Sequence, residues 1–203
     1  MTTITVENRM ITPSKIACIG RNYVDHIKEL GNENPEQMVI FIKPNTAIST
    51  KLRSGQSEPV HYEAELCFLC RNGIYSAVGF GLDLTKRHLQ NRLKEKGLPW
   101  ERAKAFDGSA LFSQFRKISE ISSHLTFDLT IDGATVQSGN IDLMIHKPDQ
   151  IRAEMSTFMT LLDGDIVMTG TPEGVGVISP GQVFTGTVRD RGKAIVSGTW
   201  TAE

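Results

Sequence analysis

No stretch of this chain is apolar over the roughly 20 residues that cross a bilayer as a helix. The N-terminus lacks the basic-then-apolar layout of a secretory signal. Both absences predict a cytoplasmic protein that touches no membrane. Charge of one sign is also missing: 22 Lys and Arg face 23 Asp and Glu, a net charge of −1. That balance argues against a surface for nucleic acid or anionic lipid. The cysteines number three, odd and too few for a disulfide framework. Cys67 and Cys70 stand three apart, which on a strand puts them on opposite faces, and the second pair of a zinc site is missing. They read as small buried residues. No repeat, linker or low-complexity segment divides the 203 residues, so one domain over 1–203 is expected.

What is present is mostly strand. Residues 61–70 alternate, with Tyr62, Ala64, Leu66 and Phe68 on one face and His61, Glu63 and Glu65 on the other. Two carboxylates on one strand face lie roughly 6.5–7 Å apart at Cα and can turn onto one ion. Without an ion they repel, and burial raises at least one pKa. Oxygen ligands suit Mg²⁺, with Mn²⁺ or Ca²⁺ as alternatives, better than Zn²⁺. A second strand over 77–84 puts Val78, Phe80, Leu82 and Leu84 on one face and Gly79, Gly81 and Asp83 on the other. The glycines leave room for a close approach, and Asp83 is the candidate third ligand. Asn72-Gly73 between the two strands signals a tight hairpin.

Thr85 is placed to cap a helix through Leu93, with Leu89 and Leu93 inward and Arg87 and Gln90 sharing a face. A short helix over 23–30 carries the stripe Tyr23, Ile27 and Leu30 and stops at Gly31. His26 and Glu29, three apart beside that stripe, read by position alone as a solvated flank. Lys104 read alone is a surface lysine. Residues 31–38 are a polar loop, Val39 to Lys43 a strand ended by Pro44, and 51–59 a turn-rich connection. Asp132-Gly133 and Arg191-Gly192 mark two further hairpins. Ile151, Met155, Phe158, Met159 and Leu162 recur at helical spacing over 149–162. A strand at 166–168 leads into a Gly-rich loop, Thr169 to Gly176. The loop lacks the Gly-Lys-Ser/Thr of a phosphate loop. Its N–H groups and the Thr171 hydroxyl can still hold a carboxylate.

In combination these passages resemble the fumarylacetoacetate hydrolase family. The matches are Glu63-Ala64-Glu65, then Asp83 through Gln90, then Pro99-Trp100-Glu101-Arg102-Ala103-Lys104-Ala105-Phe106-Asp107. Thr169-Gly170-Thr171-Pro172-Glu173-Gly174-Val175-Gly176, Gly20-Arg21-Asn22-Tyr23 with His26, and Phe41-Ile42-Lys43-Pro44 complete the set. They run in family order from residue 16 to about 188. The chain is most similar to the short, single-domain acylpyruvate hydrolases, which also decarboxylate oxaloacetate. The short 71–76 connection departs from the family, which usually carries a helical insertion there.

The resemblance implies an α+β, strand-dominated fold of the mixed β-sandwich roll type and a homodimer. It implies a divalent cation on Glu63, Glu65 and Asp83, and a small 2-oxo acid substrate held by Arg21, Arg87, Gln90, Gly170 and Thr171. His26 and Glu29 would activate water from a lid-like helix. Lys104 would stabilise a metal-bound pyruvate enolate and have little part in folding. The implied reaction is C–C hydrolysis of acylpyruvates such as fumarylpyruvate. Oxaloacetate decarboxylation, and isomerisation or hydration of dienoates, are the alternatives within enzymes. A non-catalytic metal or 2-oxo acid binding protein would need the carboxylates but neither Lys104 nor the His26–Glu29 pair.

Overall fold

Strands run from near the N-terminus to the end of the chain and outweigh the helices between them. The computed structural model of the chain describes residues 1–31, 35–55 and 58–203. In chain order the elements are β1 (Ile4–Val6), β2 (Arg9–Ile11), β3 (Lys15–Gly20), α1 (Val24–Glu29), β4 (Val39–Pro44), β5 (His61–Tyr62), β6 (Ala64–Arg71) and β7 (Ile74–Asp83). There follow α2 (Arg87–Glu95), α3 (Glu101–Lys104), β8 (Ala110–Phe112), β9 (Arg116–Lys117), β10 (Leu125–Ile131), β11 (Ala134–Asn140) and α4 (Pro148–Ser156). The chain closes with β12 (Ile166–Met168), β13 (Gly176–Val177), β14 (Val183–Asp190) and β15 (Lys193–Thr201).

Seven strands form the central sheet in the order β4-β3-β12-β6-β7-β8, with β9 also on β7. It is mixed, because β12 runs parallel to β3 and antiparallel to β6. A four-stranded antiparallel sheet, β11-β10-β14-β15, packs on one of its faces. Leu66, Phe68, Phe80 and Leu82 meet Phe127, Leu129, Phe184 and Val188 there in the main core. The opposite face is covered too: Cys67, Leu69 and Met168 pack with Phe115, Ile4 and Val6. The architecture is the α+β, strand-dominated mixed roll that the family resemblance implies.

The alternation read in 61–70 and 77–84 is the one observed. Asn72 (φ 52°) and Gly73 (φ 73°) make the two-residue turn from β6 to β7. Asn-Gly favours this turn because both residues tolerate positive φ. Asp132-Gly133 and Arg191-Gly192 do the same for β10–β11 and β14–β15. Cys67 and Cys70 are buried free thiols in different core clusters.

Three expectations need correction. The helix expected over 149–162 ends at Ser156, and Phe158 and Leu162 are exposed. Their helical spacing is coincidental. Thr85 does not cap α2, which starts from Lys86; it pairs its backbone with His61 and turns its hydroxyl into the site. The room left by Gly79 and Gly81 is taken by apolar groups. A Cβ at Gly81 would lie 2.5 Å from Cys67 Sγ, and one at Gly79 3.0 Å from the Phe115 ring. Residues 32–34 of the expected polar loop, and 56–57 of the connection into β5, fall outside the described residues.

Candidate functional site

Glu63, Glu65 and Asp83 reach one point from two neighbouring strands. Glu63 sits at the break between β5 and β6, Glu65 on β6, and Asp83 at the end of β7. Asp83 N–H donates to Glu63 C=O at 2.8 Å, which fixes the two ends side by side. One carboxylate oxygen from each residue lies within 4.8 Å of the others, and all three residues are buried.

Two buried lysines converge on this cluster. Lys104, 3% exposed at the end of α3, donates to Glu63 Oε2 (2.8 Å), Asp83 Oδ2 (2.7 Å) and Thr85 Oγ1 (2.7 Å). Gly97 (φ 61°) closes the turn after α2, and α3 starts beyond it at Glu101. The fully buried Lys43, from β4, donates to the carbonyls of Lys104 and Leu84. Its ammonium stands 2.8 Å from Asp83 Oδ1 but off the direction of a hydrogen bond. Arg87, from the first turn of α2, pairs with Glu63 and donates to Gln90 Oε1 at 2.9 Å.

The charges are unevenly matched. Burial opposes ionisation of Glu63, but Lys104 and Arg87 outweigh it and hold that carboxyl well below the usual range. Burial likewise opposes the charge on Lys104, and Asp83 and Glu63 more than offset it, so the ammonium is held above its ordinary value. Glu65 goes the other way. Burial, then Asp83 and Glu63, push it well up. It accepts only the Gly170 N–H, at 2.6 Å, and no side-chain cation pairs with it among the described residues.

A divalent cation fits this donor set. Asp83 Oδ1 is a buried acceptor with no aligned donor, Glu65 is a buried carboxyl with no cation, and all the offered atoms are hard oxygens.

The cluster forms one wall of a cavity of about 30 Å³, room for roughly two waters. Arg21, His26, Arg87, Gln90, Lys104 and Thr171 line it with the three carboxylates. His26, 6% exposed, bonds through Nδ1 to Glu29 Oε2 at 3.0 Å, and Glu29 Oε1 accepts the Gly174 N–H at 2.9 Å. The pair that reads as a solvated flank by position is thus tied to the Gly-rich loop, and Glu29 stands behind the histidine. Gly170 has φ +97°, and a Cβ there would meet Asn22 Cβ at 2.8 Å. Only glycine lets that loop turn its N–H onto Glu65.

Three cavity or supporting residues escaped the sequence reading as site members. Lys43 belonged to a matched motif, and its signal was a lysine on the same face of an apolar strand as Phe41. Gln137 spans two walls: its Oε1 accepts from Ala64 N–H at 2.9 Å, and its Nε2 donates to Thr171 Oγ1 at 2.9 Å. Nothing in the alternating hairpin distinguished it. Lys94 also lines the cavity; its signal was position, one turn after Gln90.

The chain is similar to proteins already known. The family model described as fumarylacetoacetate (FAA) hydrolase C-terminal matches residues 15–73 and 76–198. The oxaloacetate tautomerase YcgM of Escherichia coli (strain K12) is 41% identical over 193 residues, 86% of this chain and 88% of the relative. The mitochondrial oxaloacetate decarboxylase of Dictyostelium discoideum is 36% identical over 194 residues, 85% of this chain and 88% of the relative. A crystal structure of fumarylpyruvate hydrolase from Pseudomonas aeruginosa in complex with Mn²⁺ and pyruvate superposes with a TM-score of 0.88 at 30% identity. It covers 100% of this chain and 96% of that one. Among the described residues no helix is long and apolar enough to cross a membrane.

Proposed function

This chain belongs to the fumarylacetoacetate hydrolase family, and from that premise we propose that it is a divalent-metal-dependent enzyme that enolises small 2-oxo acids, with oxaloacetate keto–enol tautomerisation as its main reaction. The carrying observation is that the His26–Glu29 pair and the Lys104 ammonium line or back the same small cavity as the three carboxylates. The 41% identity to an oxaloacetate tautomerase supports the substrate.

Glu63, Glu65 and Asp83 would hold the cation, Mg²⁺ or Mn²⁺. When bound it supplies Lewis-acid charge that favours the enolate over the ketone. The chain's own residues do the rest. Glu29 accepts the Nδ1 proton of His26 and leaves the other ring nitrogen as the base. That nitrogen takes the proton from C3. The C3–H electron pair becomes the C2=C3 double bond, and the carbonyl pair moves to oxygen. The Lys104 ammonium, kept charged by Glu63 and Asp83, meets the negative charge where it develops. Returning the proton to oxygen gives the enol, and returning it to C3 gives the ketone. Arg21, Arg87, Gln90, Gly170 and Thr171 would orient the substrate. The reading takes the active species as a homodimer, as the resemblance implies, acting in the cytoplasm.

Hydrolysis of acylpyruvates is the second reading. The same His26–Glu29 pair can draw a proton from water, and the likeness to a fumarylpyruvate hydrolase favours it. Decarboxylation needs only the enolate-stabilising half of the site.

The test is to follow the enol band of oxaloacetate in the ultraviolet with purified protein and Mn²⁺, alongside pyruvate release and acetylpyruvate cleavage. Enol–ketone conversion well above the buffer rate, and faster than either other reaction, is expected. His26→Ala should slow it by about 10²–10⁴, the usual worth of a general base. Conversion no faster than in buffer, with acetylpyruvate cleaved, would replace the first reading by the second.

A further inference from the structure

Among the described residues Lys94 has no anionic partner. It lies on α2 seven residues after Arg87 and four after Gln90, so the three share a helix face. Its side chain lines the cavity beside Arg21, Arg87 and Lys104. Its ammonium stands 4.8 Å from the centre of the Trp100 ring, a cation–π seat that holds a lysine stem in place.

Arg87 and Lys104 are committed to Glu63 and Asp83. Lys94 makes no hydrogen bond or ion pair among the described residues, although Glu95 is its neighbour in sequence. Burial first, then Arg21, Arg87 and Lys104, pull its pKa down to about 8. It still carries its proton at neutral pH, and it is a cation crowded by cations at the edge of a site. A lysine meant only for solvent has no reason to sit on an indole and face that crowd.

We propose that Lys94, seated on Trp100, binds the far carboxylate of a dicarboxylic 2-oxo acid and so makes the enzyme selective for dianionic substrates. The inference rests on the enolisation reading, but it concerns the end of the substrate that does not react. A far carboxylate would relieve the crowding by supplying the missing anion. A monocarboxylate such as pyruvate would gain nothing from Lys94.

Lys94→Met keeps an unbranched apolar stem and removes the charge, and with it the cation–π contact to Trp100. Two measurements on the Mn²⁺-loaded protein read it out. The first is the enolisation rate of oxaloacetate against 2-oxosuccinamate, the same molecule with its far carboxylate as a neutral amide. KM for oxaloacetate should rise roughly tenfold to a hundredfold, the range for a hydrogen bond to a charged group. The amide's KM and both kcat values should move by less than about threefold. Lys94→Arg should keep most of the preference. The second is calorimetric affinity for oxaloacetate and for pyruvate, which needs no turnover. Oxaloacetate should bind the variant more weakly by the same factor, and pyruvate unchanged. Equal losses for both ligands, or none for either, would overturn the proposal. A parent protein that binds oxaloacetate but does not enolise it would sink the enolisation reading alone, and the calorimetry would still decide on Lys94.

Discussion

Two buried carboxyl groups lie near opposite ends of β12, and their surroundings could hardly differ more. Asp165, just before the strand, has its Oδ1 bonded by the Ser14 and Lys15 N–H groups (3.0 and 3.1 Å) and the Ser14 hydroxyl (2.6 Å). Its Oδ2 takes the Leu162 N–H at 2.8 Å and the Lys15 ammonium. Glu65, reached from the loop just after the strand, takes one N–H and stands between two other carboxylates. Burial raises both pKa values. At Asp165 the bonds from Lys15 and Ser14 reverse it, and the carboxyl ends below its ordinary value. At Glu65 nothing reverses it. The fold completes one acid with its own donors and leaves the other to be completed by a ligand. The first ties β12 to the start of β3 and is structural. The second is a site.

Asp83 gives the largest effect, because it belongs to both categories. It offers an oxygen to the cluster and also partners Lys43 and Lys104. Asp83→Ala should reduce metal-dependent activity to background. It should also cost roughly 3–5 kcal/mol of stability, the price of stranding a buried charge. Denaturant unfolding of the metal-free variant reads the second loss. An unchanged midpoint would show the two lysines to be less committed to Asp83 than their distances imply.

Lys104 comes next and revises an expectation. Read as a residue of the active site alone, it could be removed without harm to the fold. Its burial and its three bonds argue for a part in the fold as well. Lys104→Met should lower the rate by about 10²–10³ and also lower the metal-free melting temperature. Mn²⁺ should then raise the variant's melting temperature more than the parent's, since a cation would neutralise the stranded Glu63 and Asp83. An equal rise in both proteins would contradict this.

These stabilising roles were hidden for a physical reason. The alternation in β6 and β7 and the paired positive-φ turns at Asn72-Gly73, Asp132-Gly133 and Arg191-Gly192 are local, so they are legible from a few residues. The partners of Lys43 lie 40 and 61 residues further on, at Asp83 and Lys104. Only the folded sheet brings them together, and a lysine on a strand otherwise reads as exposed. Thr85 stands where a cap would stand, but its hydroxyl has a nearer use on Lys104. Phe158 and Leu162 keep helical spacing past the end of α4, and spacing alone cannot tell an apolar loop from an apolar face. The Glu-x-Glu and Asp83 motifs stood out because like charges on alternating, otherwise apolar strands have no structural use.

Asp165 predicts a smaller effect of the opposite kind. Asp165→Asn should cost roughly 1–3 kcal/mol by breaking charge-assisted bonds and leaving Lys15 unpaired. Activity well below the melting temperature should stay at the parent value. The smallest effect is in the acid limb. A carboxyl held below its ordinary value contributes stability that is complete above the unfolded pKa of about 3.9. That stability is lost as the pH falls through the folded value. The parent should therefore lose its margin over Asp165→Asn below about pH 4, and a margin constant down to pH 2 would contradict the role given to Asp165.

The contrast itself is tested most directly by one paired measurement on Glu65→Gln and Asp165→Asn: calorimetric Mn²⁺ affinity together with the metal-free melting temperature. Glu65→Gln should lose most of its Mn²⁺ affinity while melting at or above the parent temperature, because a buried acid without a cation has been replaced by an uncharged amide. Asp165→Asn should bind Mn²⁺ like the parent and melt lower. A Glu65→Gln protein that binds Mn²⁺ with the parent's affinity, or that melts far below it, would mean that Glu65 is held for the fold and that the three carboxylates are not the metal site.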